Sequence, residues 1–207
     1  RFKNLSVIAA NIELAGAEIE LQELDENLNF TKIALDSIKD DYDYIFIDCP
    51  PSLGFLTISA LSVSDGVLIP MQCEFFALEG LSQLLPTIRR IRQNYNPALQ
   101  VVGILPTMYN GRLTLTRQVI DEIKRYYPNK LFRTPISRSV RLSTAPSYGM
   151  PIQYMEPKGK CAEDMPEVIF AGDLMNQCTG SAYGLLGFGK PYFGLYGACS
   201  TAAEGML

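Results

Sequence analysis

The sequence predicts an α/β protein built on a parallel β-sheet. Two runs, Ile-Phe-Ile at 45–47 and Gly-Val-Leu-Ile-Pro-Met at 66–71, are too short for helices and are typical of strands buried on both faces. Longer segments between such runs carry apolar residues at near-helical spacing. Strands that alternate with helices in this way form a parallel sheet covered by helices.

The first predicted elements are a strand, a helix and a second strand. Residues 5–9 form an apolar run of strand length, and residues 17–39 carry apolar side chains at near-helical spacing. The strand at 45–47 follows, and Pro50 and Pro51 force an extended turn directly after it.

The next elements continue the same alternation. A short helix at 55–63 leads to the strand at 66–71, and Asn96-Pro97 ends the following helix at 77–94. The elements expected after this break are a strand at 101–106, a helix at 113–127 and a strand at 131–136.

Composition limits the classes of protein. A chain of 207 residues with a mean hydropathy of +0.07 buries a real core. Its apolar stretches are all shorter than the roughly 20 residues that span a bilayer, and we expect a cytoplasmic protein without a leader. Five scattered cysteines indicate reduced thiols, and the lack of histidine excludes Ser-His-Asp and Cys-His catalysis.

The composition changes near residue 164, which predicts two parts, 1–163 and 164–207. Of the 18 lysines and arginines only Lys190 lies beyond residue 164, whereas 8 of the 16 glycines do. The elements expected in the second part are a strand at 168–171, a helix at 174–186, a strand at 192–196 and a helix from Cys199 onward.

Asp48 directly follows the predicted strand at 45–47. Ligands of parallel α/β sheets bind beyond the carboxyl ends of the strands, where a carboxylate can hold magnesium beside a nucleotide. An aspartate in this position can also cap the helix that follows. Position alone leaves both interpretations open.

Four motifs before residue 164 resemble those of the ParA/Soj/MinD family of deviant P-loop ATPases, which partition chromosomes and plasmids. The resemblance covers about residues 4–163 and implies a Rossmann-like, three-layer P-loop NTPase core that uses ATP and Mg²⁺. The motifs lie at 42–54 (Tyr-Asp-Tyr-Ile-Phe-Ile-Asp-Cys-Pro-Pro-Ser-Leu-Gly), 68–81, 107–112 and 140–152.

The resemblance also assigns roles to residues. Asp48 resembles the Walker B aspartate, which holds magnesium through water, and Pro50 and Pro51 lie in the segment that senses the γ-phosphate. Residues at two further places are implied to contact the adenine, namely Thr107 and Met108 in one loop and Ile136, Ser137 and Arg138 in a second loop.

The family's first strand and its phosphate-binding loop are expected before residue 1. We therefore expect a truncated core that hydrolyses ATP negligibly by itself. A near match to the G-x-x-x-x-G-K-[ST] pattern begins at Gly184, but Pro191 replaces the hydroxyl residue and Lys190 precedes a strand instead of a helix.

A basic stretch runs from Arg112 to Arg141. It contains eight lysines and arginines and only two carboxylates, which gives a local net charge of +6. Such a stretch is either a solvated helix face with loops or a patch that binds the DNA backbone without sequence preference. The family resemblance favours non-specific DNA and implies a ParB-type partner protein, an ATP-dependent homodimer of the intact protein and a nucleoid-associated location. The arginines predicted to contact DNA are Arg112, Arg117, Arg138 and Arg141.

The last part resembles stage V sporulation protein AD, a thiolase-like protein, through blocks at 168–177 and 194–205. The resemblance implies that Cys199 matches the nucleophile of thiolase-like enzymes, although by pattern alone a small buried cysteine is the simpler interpretation. Two alternatives to a partition ATPase therefore stay open. One is a non-catalytic module that binds DNA or a partner, and the other is a thiolase-like fragment that binds a small carboxylate such as dipicolinic acid.

Overall fold

The computed structural model describes residues 6–11, 13–22, 29–50, 53–164 and 193–196. Short 3-10 helices lie at Lys39–Asp41 and Ala145–Tyr148. The strands are β1 (Phe46–Cys49), β2 (Gly66–Gln72), β3 (Gln100–Thr107) and β4 (Phe193–Tyr196). The helices are α1 (Glu13–Gln22), α2 (Asn29–Asp36), α3 (Phe55–Val63), α4 (Phe75–Asn94), α5 (Thr114–Tyr126), α6 (Val140–Thr144), α7 (Ile152–Met155) and α8 (Lys160–Asp164).

The four described strands form one parallel sheet in the order β1-β4-β2-β3. The strand from the last part of the chain, β4, thus lies inside the sheet, with Phe193 opposite both Phe46 and Gly66. Because all four strands are parallel, their carboxyl ends lie at one edge. The α/β class and the parallel sheet predicted from the sequence are confirmed.

The core occupies both faces of the sheet, which gives the expected three layers. On β2, Val67, Ile69 and Met71 belong to one buried cluster, which also includes side chains of α3, α4 and α5. Leu68 points to the other face, where a second cluster contains Leu105, Ile136, Ala145, Ile152 and Cys161. This alternation follows from the two-residue period of a strand.

Several predicted elements agree closely with the structure. The helix at 55–63 has the predicted bounds, and the strands β2, β3 and β4 and the helices α4 and α5 differ from prediction by at most two residues at either end. The strand around Ile47 is also present, but it was expected to be buried on both faces. In β1, Phe46 and Ile47 are half-buried and Asp48 is exposed, because β1 lies at the end of the described sheet.

Three predictions before residue 164 were wrong. Residues 6–9, part of the strand predicted at 5–9, are exposed and pair with no described strand. The side-chain oxygen of Asn11 instead accepts a hydrogen bond from the amide of Glu13 at the start of α1. The helix predicted at 17–39 is wrong in its bounds, because α1 begins at Glu13 and α2 ends at Asp36, and residues 23–28 between these two helices lie outside the described residues. The strand at 131–136 is reduced to an isolated bridge at Leu131 and a second one at the adjoining Ser137, and the facing residue of β3, Pro106, has no N–H to donate to this segment.

The other predictions for the last part lie outside the described residues. These are the strand at 168–171, the helix at 174–186 and the helix from Cys199. The thiolase-like arrangement expected for the tail is therefore not confirmed, since β4 is the part of it that is described. In the described part of the chain no helix has the length and hydrophobicity needed to cross a membrane.

Candidate functional site

The candidate site lies at the carboxyl edge of the sheet. Asp48 is the third residue of β1, one residue before its end, and its partner in β4 is Leu195. At the ends of the neighbouring strands, Gln72 of β2 lies opposite Thr107 of β3. The N-cap residue of α3 is Gly54, so Asp48 is not the N-cap of this helix.

Two segments that lie far apart in the sequence meet beyond β3. The amide of Ile136 donates to the carbonyl of Pro106 at 2.8 Å, and the amide of Tyr109 donates to the carbonyl of Ile136 at 2.9 Å. The amide of Arg138 then donates to the carbonyl of Tyr109 at 3.1 Å. The structure therefore brings together the loops of Thr107–Met108 and Ile136–Arg138, which the sequence placed in one site.

The first loop contains two local departures from ordinary structure. Thr107 is 8% exposed, and its Oγ1 is buried without a hydrogen-bond partner. A buried polar group without a partner costs about 1–3 kcal/mol. Met108 adopts a left-handed conformation with φ 47°, which is uncommon for a residue other than glycine. Buried polar atoms without partners and uncommon backbone conformations concentrate at binding sites, because contacts with a ligand can offset the free energy that they cost.

The second loop is supported from inside the protein. Ile136 is 4% exposed and packs in the same cluster as Ala145, Ile152 and Cys161. The thiol of Cys161 donates to the carbonyl of Ser137 at 3.2 Å. Sequence reasoning missed this role of Cys161, since nothing in the local pattern links it to a residue 24 positions earlier.

Two other cysteines near this edge are poor nucleophiles. Burial, with the charge of Asp48 as a smaller cause, raises the pKa of the Cys49 thiol to about 12. Burial also raises the pKa of Cys73 to about 11. Both thiols therefore stay protonated at neutral pH, and the thiolate is the reactive form. Cys199, the predicted nucleophile of the tail, lies outside the described residues.

The carboxylate of Asp48 is suited to a magnesium ion whose remaining ligands are water molecules and substrate phosphates. The described residues contain no group of three or more His, Cys, Asp or Glu side chains that could form a protein cage for a metal. Mg²⁺ typically keeps several waters and binds one or two carboxylates together with substrate phosphates. The exposed Asp48 at a carboxyl edge fits that mode. Of the two prolines after it, Pro50 is exposed and Pro51 lies outside the described residues.

The basic stretch divides between two regions of the molecule. Arg112 lies in the turn after β3, Arg117 in the first turn of α5, and Arg138 and Arg141 lie in and after the second loop. All four are exposed. Other cations of the stretch lie away from this edge, since Lys124 and Arg125 are in the last turn of α5 and Lys130 donates to the carbonyl of Val101 at 2.7 Å. The four arginines predicted to contact DNA thus border the same edge.

Comparison with known proteins agrees with both resemblances. A family model described as an AAA domain matches residues 1–101, and the model of stage V sporulation protein AD matches residues 151–207. The sporulation initiation inhibitor protein Soj of Bacillus subtilis is 53% identical over 161 residues, covering 78% of this chain and 64% of that protein. The chromosome partitioning protein ParA of Myxococcus xanthus is 46% identical over 159 residues, covering 77% and 56%.

One solved structure with a similar fold contains a bound nucleotide. The cobyrinic acid a,c-diamide synthase of Mycobacterium smegmatis with bound ADP and magnesium is 41% identical, has a TM-score of 0.58, and covers 63% of this chain and 53% of that one. The chain spans less than two thirds of the length of all three of these proteins. Over about residues 4–163, the chain belongs to the ParA/Soj family.

Proposed function

We propose that residues 1–163 are the nucleotide-binding core of a ParA/Soj-type partition ATPase. The observation that carries this proposal is the meeting of the Thr107–Met108 and Ile136–Arg138 loops at the edge that also carries Asp48. In this assignment the two loops bind the adenine, and the buried hydroxyl of Thr107 gains a hydrogen-bond partner from it.

The phosphate side of the site lies at β1. Asp48 holds magnesium through water, and Pro50 and Pro51 belong to the segment that responds to the γ-phosphate. The bound ADP and magnesium of the mycobacterial relative support ATP and Mg²⁺ as the cofactors. The whole protein then works as an ATP-dependent homodimer with a ParB-type partner, in the cytoplasm on the nucleoid.

Titration with Mg-ADP tests the adenine assignment. In NMR spectra of the labelled chain we expect the largest amide shifts at 107–109 and 136–138, and smaller ones with Mg-GDP. Thr107→Val removes the hydroxyl at nearly constant volume, and the loss of one hydrogen bond predicts about 2- to 10-fold weaker ADP binding. Ser143→Ala, which alters an exposed hydroxyl on α6, serves as the control. Shifts centred elsewhere, or unchanged binding by Thr107→Val, would contradict the assignment.

We further propose that the exposed arginines at this edge bind the DNA backbone without sequence preference. Arg112, Arg117, Arg138 and Arg141 are exposed and border one side of the sheet. Guanidinium groups that neutralise phosphates release counterions, so the affinity depends strongly on salt. The net charge of −4 on the whole chain makes this local concentration of positive charge more significant.

Salt dependence tests the DNA proposal. If four phosphates are neutralised, the logarithm of the affinity should fall with the logarithm of salt at a slope of about −3.6, or roughly 100-fold between 50 and 200 mM. Fluorescence anisotropy with duplexes of unrelated sequence measures this slope. Arg112→Ala or Arg141→Ala should each reduce the slope by about 1, whereas Lys124→Ala on the distant end of α5 should not. A flat salt response would reject the proposal.

A further inference from the structure

One peptide unit of the second loop is hydrogen-bonded at both ends. Its amide, on Arg138, donates to the carbonyl of Tyr109 at 3.1 Å, and its carbonyl, on Ser137, accepts the thiol of Cys161 at 3.2 Å. The C=O and N–H groups of a trans peptide lie in one plane and point in opposite directions. This peptide unit therefore spans the space between α8 and the residue that follows the first loop.

Cys161 holds the carbonyl from within the core. It is the second residue of α8, is 5% exposed, and belongs to the cluster that contains Ile136 and Ile152. A cysteine combines a small apolar body with an S–H that can donate, so it suits a position that packs in a core and also meets a carbonyl. The second loop is thus held at β3 by the hydrogen bond from Ile136 to Pro106 and at α8 by the thiol.

The same hydrogen bonds connect the thiol to the first loop. Tyr109, which accepts from the far end of the peptide unit, also donates its own amide to the carbonyl of Ile136. It directly follows Met108, whose left-handed backbone is stable only when its surroundings fix it. A change in the direction of the Ser137 carbonyl therefore reaches both loops.

We propose that Cys161 is a positioning residue of the nucleotide site, whose thiol sets the orientation of both loops toward the base of the nucleotide. The inference rests on the proposed function, in which these loops bind the adenine. In this role Cys161 does not contact the nucleotide. It fixes the carbonyl of Ser137, and through the planar peptide unit it fixes the amide of Arg138.

Removal of the thiol tests this role without any nucleotide. Cys161→Ala takes away the donor, and we expect amide hydrogen exchange at Tyr109 and Arg138 to become about 10-fold faster, with unchanged protection in the buried part of α4. Cys161→Ser returns an O–H donor and should recover part of this protection. Cys73→Ala is the matched control, because Cys73 is also buried, at 6% exposed, but lies in the other core cluster.

Titration with Mg-ADP tests the consequence for the site. Cys161→Ala should bind Mg-ADP about 3- to 10-fold more weakly, and Cys161→Ser should lose less affinity. Cys73→Ala should bind as the unaltered chain does. Because coupling between two sites is reciprocal, saturating Mg-ADP should slow the alkylation of Cys161 by iodoacetamide about 3-fold or more and leave Cys73 unaffected. Mass spectrometry of the digested chain measures the two thiols separately.

Four results would overturn the inference. Unchanged exchange at Tyr109 and Arg138 in Cys161→Ala would do so whether or not the chain binds nucleotide. Equal effects of Cys161→Ala and Cys73→Ala, or a loss of protection that extends to α4, would mean that the thiol only supports the core. Unchanged Mg-ADP binding by Cys161→Ala would also overturn it, if Thr107→Val weakens that binding. Failure of the unaltered chain to bind Mg-ADP would instead contradict the proposed function, and the exchange rates would still decide whether the thiol holds the loops.

Discussion

The 207-residue chain is expected to hydrolyse ATP at least about 100-fold more slowly than full-length Bacillus subtilis Soj assayed beside it. Phosphoryl transfer depends almost entirely on positioning and on groups that stabilise the developing charge of the phosphate. The sequence provides Asp48 for the magnesium side but no match to the G-x-x-x-x-G-K-[ST] loop, whose amides and lysine hold the phosphates. Removing a single preorganised donor already costs about 100- to 1000-fold in other enzymes.

Phosphate release under saturating Mg-ATP measures this difference. Asp48→Asn provides the control, because it removes the charge assigned to magnesium and keeps the shape of the side chain. Any residual rate in the unaltered chain should survive this substitution, since that rate does not pass through an assembled site. A rate within 10-fold of Soj that Asp48→Asn abolishes would show that the chain assembles a working phosphate site in another way.

The sequence predicts those parts of the fold that local patterns determine. The helix α3 and the strands β2 and β3 stand out because a short apolar run, or a run with helical spacing, ends at clear turn residues. The predicted strand at 131–136 failed for a reason visible only in pairing, since the β3 residue that faces it, Pro106, has no N–H to continue the ladder. The position of β4 was equally out of reach, because an apolar run indicates a strand and not its neighbours.

The candidate site likewise combines features that the sequence predicts with features that depend on tertiary contacts. The family resemblance predicted that the loops at Thr107–Met108 and Ile136–Arg138 belong to one site, and their hydrogen bonds through Tyr109 show how the chain joins them. The unpaired hydroxyl of Thr107 and the left-handed Met108 depend on surroundings that no sequence pattern records. The hydrogen bond from Cys161 to Ser137 likewise depends on tertiary packing.

Replacement of Ile69 by alanine is expected to destabilise the protein by about 2–5 kcal/mol. Ile69 is 0% exposed on β2, an interior strand, and belongs to the cluster shared with α3, α4 and α5. The substitution removes three carbon atoms from a site closed on all sides, so it loses both transfer free energy and packing contacts. A loss of this size is a large fraction of the 5–15 kcal/mol typical of a folded domain.

Urea unfolding of the two variants Ile69→Ala and Ile8→Ala measures this effect against a matched control. Ile8 is 84% exposed, so the same chemical change there should alter the free energy of unfolding by no more than about 0.5 kcal/mol. The slope of the unfolding free energy against urea should be the same for both variants, because their native states bury similar surface. Equal losses from the two substitutions would mean that Ile69 lies outside the core. A loss confined to Ile69→Ala shows that Ile69 is enclosed by the core, because only an enclosed position loses packing that the chain cannot recover by relaxing.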